Sequence, residues 1–236
     1  MQESIANRNY KFNHLKNSVI QDMAKLKSTH FEAMLTRGLG AIIGSDVNAR
    51  ALTTQERYAI LLTYLDAIED KNIDESIDIK QFLHSDLSVF KRDPIEDDNI
   101  QVRHLTGIEA EALEIGCENS ADWILGAMSM QIGCDELPPI RPDLLKDVGN
   151  TGKMIKNRID ILNELDQPVL NELIYKFRNL EEQLQTLVNI SYYKGIVLNK
   201  INGGTDDAPV RFRINSAITG PAKRLFEIMV EENTTV

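Results

Sequence analysis

LTGIEAEALEIGCENSADWILGAMSMQIGC, residues 105–134, contains two helix starts within one short stretch. Thr106 as N-cap and Glu109 three residues later can satisfy each other's free backbone donors, the capping-box arrangement. Asn119-Ser120 marks a second start, with Asp122 favourably placed in the first turn. From Trp123 to Cys134 there is no charged side chain, and Gly126, Ala127 and Ser129 keep part of the surface small. A helix that is apolar nearly all round is buried on more than one side, by its own domain or by a partner. The run is too short to cross a bilayer, which needs about 20 apolar residues.

Upstream, Phe12, Leu15, Val19, Met23 and Leu26 recur at three- and four-residue steps and predict an amphipathic helix over 12–35, closed by Gly38, Gly40 and Gly44. Thr53 and Glu56 form another capping box, followed by one apolar stripe of Tyr58, Leu61, Leu62, Leu65 and Ile68. The period then changes to two. Ser76–Phe82 and Asn99–Leu105 alternate as strands do, and the acidic DPIEDDN segment between them reads as a solvated loop.

Downstream, Pro138, Pro139 and Pro142 form the best linker candidate. It divides the chain into 1–137 and 138–236 unless the whole is a single domain. Ile155, Ile159, Leu162 and Leu165 predict a helix over 151–165, with Gly149 and Gly152 shaping a turn before it. After Pro168, Leu170, Leu173, Phe177, Leu180, Leu184 and Leu187 repeat in 3-4 spacing. That is short of the three to four heptads of a coiled coil, so a helix packed along its own domain is the plainer reading. Glu172 and Lys176 make an i,i+4 pair on its outer face. Ile196–Ile201 and Val210–Ile214 are strand-like runs flanking a 202–207 turn, and Thr219-Gly220-Pro221 opens a last helix with Leu225, Phe226 and Met229. The fold class is α+β, predominantly α-helical, with one or two small antiparallel hairpins.

Its 236 residues suffice for a sizeable core. A net charge of −10 without a long basic run argues against nucleic acid as the main ligand, since phosphate binding needs a concentrated cationic face. The local cationic patch in prospect is Arg211, Arg213, Lys223 and Arg224. The amino terminus lacks the apolar core of a secretory signal, and two cysteines make no disulfide framework, so a cytosolic protein with reduced thiols is expected.

The chemistry-bearing patterns fail on spacing. Gly149–Lys153 has two residues between its glycines and Met154 after the lysine, where a phosphate loop needs four and a Ser or Thr. Cys117 and Cys134 lack the close pairing of a zinc site. Glu111, Glu114 and Glu118 share a helix face, yet the di-iron pattern needs Glu-x-x-His on partner helices, and a solvated acidic face is expected instead. No catalytic, cofactor-binding or metal-ligating residue is nominated, and no cofactor. The nominated residues are interface candidates: Trp123, Ile124, Met128 and Met130 on the apolar helix, and Leu173, Phe177, Leu180 and Leu184 on the seam.

The order of parts resembles a known family. Thr53–Glu56 leads into a strand region ending Val102-Arg103-His104-Leu105-Thr106-Gly107, then an E-A-E-A-L-E helix, Phe212-Arg213 and a Gly220-Pro221 tail. This layout is similar to the baseplate-hub and tail-assembly proteins of contractile-tailed phages of the T4 type, and it covers most of the chain. Some relatives in that family carry paired cysteines in the strand region, whereas 76–105 holds none, so a zinc knuckle is not expected here. The resemblance implies a non-catalytic hub component or assembly factor, made in the host cytoplasm and incorporated in the virion tail or released after assembly. Its partners would be other tail or baseplate proteins, or a second copy of itself. The alternative from the residues alone is a cytosolic helical adaptor or regulator that binds a partner or a small ligand.

Overall fold

A computed structural model describes residues 2–68, 77–88, 90–141, 145–203, 207–218 and 220–234. Among them are eight α-helices and three small antiparallel sheets, a mostly helical α+β fold. The chain separates into two compact units: Met1–Phe90 with Thr186–Ser191 and Ile196–Val236, and Lys91–Gln185 with Tyr192–Gly195. The second is inserted in the chain of the first. Pro138 and Pro139, where the sequence predicts a division between 1–137 and 138–236, lie inside the second unit, and Pro142 lies outside the described residues.

The first unit opens on a hairpin that the sequence reading did not anticipate, β1 (Gln2–Ile5) against β2 (Arg8–Lys11). Its two-residue turn, Ala6-Asn7, has φ of 52° and 59°, the left-handed pair that matches strand twist. The helix expected over 12–35 is two helices, α1 (Asn17–Ala24) and α2 (Phe31–Ile43). Gly38 and Gly40 lie within α2 rather than closing it. A Cβ at Gly38 would sit 2.3 Å from Ile214 Cγ1, so only glycine lets α2 pack against the 3-10 turn Ile214–Ala217. Gly44, with φ of 87°, ends the helix.

The Thr53 capping box starts α3 (Thr54–Ala67): Glu56 Oε2 accepts from the Thr53 N–H at 3.0 Å, and Thr53 Oγ1 from the Glu56 N–H at 3.2 Å. Instead of one apolar stripe, α3 is buried on all faces from Thr54 to Leu62. Gln55, Glu56, Arg57 and Tyr58 all form side-chain hydrogen bonds, although Arg57 Nε is buried without a partner. Arg57 donates to Glu32 Oε2 at 3.0 Å, the Glu32 carbonyl at 2.8 Å and Thr36 Oγ1 at 2.8 Å, while the Tyr58 hydroxyl donates to Glu32 Oε1 at 2.6 Å. A buried charge pair persists only with such additional bonds. Gln55 Oε1 accepts from the N–H groups of Leu187 and Val188, tying the returning chain to α3. Edge-to-face pairs Phe12–Tyr64 and Phe82–Phe212 fill the core.

The strand expected at 76–82 is absent. Ser76 lies outside the described residues, and Ile79–Phe82 form a 3-10 turn begun by Asp78, whose side chain accepts from the Lys80 N–H. Ile79 and Phe82, three apart, are the buried pair, so the working period is three rather than two. Near the end, β7 (Ile196–Asn199) pairs with β6 (Asn189–Tyr192) around a turn with positive φ at Lys194 and Gly195. The expected partner run 210–214 contributes a single bridge, Leu198 to Val210. Residues 204–206 of the expected turn, and Thr219, lie outside the described residues. The last helix, α8, is Pro221–Thr234.

In the second unit β4 (Ile100–Val102) pairs antiparallel with β3 (Ile95–Asp97) and with β5 (Ile132–Gly133). DPIEDDN is therefore not all loop: β3 lies inside it, its acidic side chains exposed while its backbone pairs. The helices are α4 (Gly107–Gly116), α5 (Ser120–Gln131), α6 (Val148–Glu164) and α7 (Gln167–Glu181). Leu173, Phe177, Leu180 and Leu184 join Ile100, Val102, Met128, Ile132 and Leu162 in one core, and α7 ends before Leu184. The leucine repeat is thus a helix packed on its own sheet, with the Glu172–Lys176 pair at 2.9 Å outside.

Arg158 of α6 is 1% exposed and donates to the carbonyls of Ser129 (2.6 Å), Ile132 and Pro138. Arg158→Leu would orphan all three. The expected loss of unfolding free energy is about 3–9 kcal/mol, from roughly 1–3 kcal/mol for each of the three unsatisfied buried groups. Arg158→Lys should restore less than half of it, because an ammonium lacks the fork. Urea unfolding followed by circular dichroism checks this; a loss under ~1 kcal/mol for the leucine variant would contradict it.

Candidate functional site

Capping chemistry sets the geometry of α4, α5 and the start of α6. Glu109 Oε2 accepts from the Thr106 N–H at 2.8 Å and from the Thr106 hydroxyl at 2.9 Å. The same carboxylate pairs with the Arg103 guanidinium. Asn119 Oδ1 accepts from the N–H groups of Ala121 and Asp122, starting α5. Asp147 Oδ1 accepts from the Asn150 N–H at 2.8 Å, so α6 begins at Val148. Gly149 and Gly152 accordingly sit in the first turns of α6, not in a turn before it.

Between the end of α4 and the start of α6 runs an apolar groove of about 710 Å³, lined by Ala112, Ile115, Gly116, Val148, Gly149, Gly152, Ile155 and Ile159. Glu118, Asp122 and Lys156 border it. Ile115 is 59% exposed, and a Cβ added at Gly116 or Gly152 would meet nothing within 4 Å. Gly126 of α5 has the opposite surroundings, since a Cβ there would fall 2.5 Å from Leu113 Cδ2.

The nominated residues divide cleanly. Trp123, Met128 and Met130 are buried within the second unit, the Trp123 ring stacked on Tyr192 of that unit with centroids 6.2 Å apart. Leu173, Phe177, Leu180 and Leu184 are core. Ile124 is 55% exposed. Ile115, absent from the nominated set, carries the more exposed apolar surface. The expected acidic face does not exist as such: Glu109 and Glu111 are buried, and Glu118 lies beyond the end of α4.

A second cavity, about 780 Å³, lies beside β4 and the 133–140 segment. Glu96, Asp98, Gln101, Arg103, Gln131 and Asp135 supply its polar lining, and Pro138 and Pro139 part of its wall. Gln131 Oε1 is buried without a hydrogen-bond partner, and its amide nitrogen stands 3.5 Å from Glu181, whose carboxyl is pushed up by burial.

Neither cavity assembles a nucleophile with its base. Burial pushes the Cys117 thiol up to about 12 and the Cys134 thiol to about 11, so both are protonated at neutral pH. A hydroxyl–imidazole pair occurs elsewhere, Thr186 Oγ1 3.1 Å from His84 Nε2, with no acid orienting the ring among the described residues. His104 is buried with Nε2 2.9 Å from the Gln185 carbonyl. Among the described residues no group of three or more His, Cys, Asp or Glu could hold a metal ion, and no helix is long and apolar enough to cross a membrane. No family model, curated protein or solved structure matches the chain.

Two outcomes follow from the groove. Gly152→Ala should stabilise the protein by about 0.5–1 kcal/mol, because the methyl meets open space and helix propensity improves; thermal melting checks it, and destabilisation would mean that the groove is closed. The folded state holds the Cys117 proton more tightly than the unfolded chain does. The stability from that difference is intact below the ordinary value of 9.0 and is lost as pH rises toward about 12. Melting temperature should therefore fall between pH 8.5 and 11 in the native chain, and less steeply in Cys117→Ala.

Proposed function

We propose that the protein is a non-catalytic structural or assembly protein of a phage tail or baseplate, a hub component or assembly factor acting through protein–protein contacts. The observation that carries the protein-contact part is the open groove at Ile115, Gly116 and Gly152. Apolar surface left exposed in a concave site is where partner side chains gain most by leaving water. The phage-tail part rests on the resemblance in layout from Thr53–Glu56 to Gly220–Pro221. The other tail or baseplate proteins are the partners on this reading, and the host cytoplasm is where it meets them.

A second reading has its own observation. The cavity lined by Gln101, Arg103 and Gln131 is of the size that takes a small molecule, which favours an adaptor or regulator holding a ligand.

Tagged protein captured from lysate of infected cells, with mass-spectrometric identification, separates the two. Tail-tube, baseplate or tape-measure proteins should be recovered, and Ile115→Asp should weaken their capture by about tenfold, the scale of one hot-spot contact. A strict monomer that recovers no tail protein would refute the assembly reading.

A further inference from the structure

The pleat of β4 sets one group of polar side chains apart from the core. Gln101 stands opposite Gly133 in the β4–β5 register, and the Arg103 N–H donates to the Gln131 carbonyl at 3.0 Å. Val102 and Ile132, paired between them, belong to the core. Successive strand residues alternate in face, so Gln101, Arg103, Gln131 and Gly133 share the side turned from the core. All four line the cavity of about 780 Å³ beside β4. Gly133 adds no side chain to that face, which leaves room over the strands.

Gln131 is 4% exposed, and its amide oxygen Oε1 has no hydrogen-bond partner among the described residues. The amide nitrogen is directed to Glu181. A buried acceptor without a donor is costly, and a donor entering the cavity removes that cost. The rest of the polar lining is mainly acidic. Glu96, Asp98 and Asp135 make no ion pair among the described residues. Glu96 accepts from the Gln101 amide and Asp135 from the Asn99 amide, neutral donors that leave both charges uncompensated. Lys176, whose charge Asp98 feels, is itself paired with Glu172. Arg103, the only cation among the described lining residues, is committed to the Glu109 carboxylate and the His104 carbonyl. Leu137, Pro138, Pro139 and Ile140 supply an apolar wall.

We propose that this cavity takes a free aliphatic amine, its ammonium donating to Gln131 Oε1 in the field of Glu96, Asp98 and Asp135, its alkyl chain along the Leu137–Ile140 wall. An ammonium carries three donors and no acceptor, so it meets both deficits at once. It supplies the missing donor at Gln131 and the missing positive charge at the acids. An alcohol answers only the first, and a carboxylate is repelled by the second. Among the described residues no group of three or more acids could hold a metal ion, so acids spread in this way suit an organic cation that brings its own N–H donors. The inference rests on the reading of the protein as a ligand-holding adaptor, and names the class of ligand.

The test titrates the full chain with pentylamine and follows the side-chain amide signals of Gln101 and Gln131 by NMR. Pentanol, pentanoate and tetramethylammonium serve as the neutral, anionic and donor-free counterparts, and a tri-lysine peptide as the partner-protein source of the same group. Pentylamine should shift both amides saturably, and the three counterparts should bind at least tenfold more weakly. Gln131→Leu, read at Gln101, should weaken pentylamine about tenfold, the scale of a charge-assisted hydrogen bond. Asp135→Asn should weaken it about threefold, the scale of an exposed charge. Asp135 is exposed, so its variant should keep the fold, and melting is checked for both. No saturable shift, or binding indifferent to both substitutions, overturns the site. Equal binding of pentanol or pentanoate overturns the amine and leaves the ligand-holding reading standing. Tighter binding of tri-lysine overturns the free-amine assignment. Pentylamine binding together with capture of tail proteins keeps the site and removes the adaptor reading alone.

Discussion

A guanidinium without a carboxylate holds the second unit together. Arg158 reaches from α6 to the carbonyls of Ser129, Ile132 and Pro138, where α5 ends and the chain turns through β5 into the 133–140 segment. The last carbonyls of a helix have no partner within it, and α5 has no cationic side chain of its own to offer them. The cap therefore comes from another helix. Burial lowers the Arg158 pKa to about 10, still high enough to keep the cation at neutral pH. The charge-free stretch from Trp123 to Cys134 and the buried cation at 158 are two halves of one device, and β4, α6 and α7 are positioned around it.

Local chemistry made much of the helical framework legible. Thr53, Thr106 and Asn119 each start the helix that their capping pattern predicts, because a cap is written within four residues. The 3-4 repeat from Leu173 to Leu184 likewise points to a core that exists. What stayed hidden depends on partners far along the chain. Arg57 looks like the solvated side of a striped helix, and only the distant Glu32, Thr36 and Ala49 reveal that it is buried. Gly38 reads as a helix stop until Ile214 occupies the space its side chain would need. The β1–β2 hairpin turns on Ala6-Asn7, which lacks the glycine that usually announces such a turn.

The groove was half legible. Gly149 and Gly152 read as turn residues in the sequence, whereas Asp147 caps α6 and places both inside it. Ile115 carried no signal, because an isoleucine in an apolar-rich helix looks like core. Its exposure follows from α4 ending one residue later at Gly116, a boundary that periodicity does not mark. The reverse held for Trp123, Met128 and Met130, whose apolar surroundings are supplied by their own unit. Arg211 and Arg213 alternate along the chain, and only Phe31, some 180 positions earlier, brings them to a common ring.

The nesting of Lys91–Gln185 within the flanking segments of the first unit bears on how the protein is made. Nearly all of the inserted unit is synthesised before Thr186 is added. Until then, the Gln55 side-chain oxygen lacks the Leu187 and Val188 amides that it accepts in the finished fold. Vectorial synthesis thus gives the Arg158-centred unit a head start, while its host waits with an incomplete core for the last quarter of the chain.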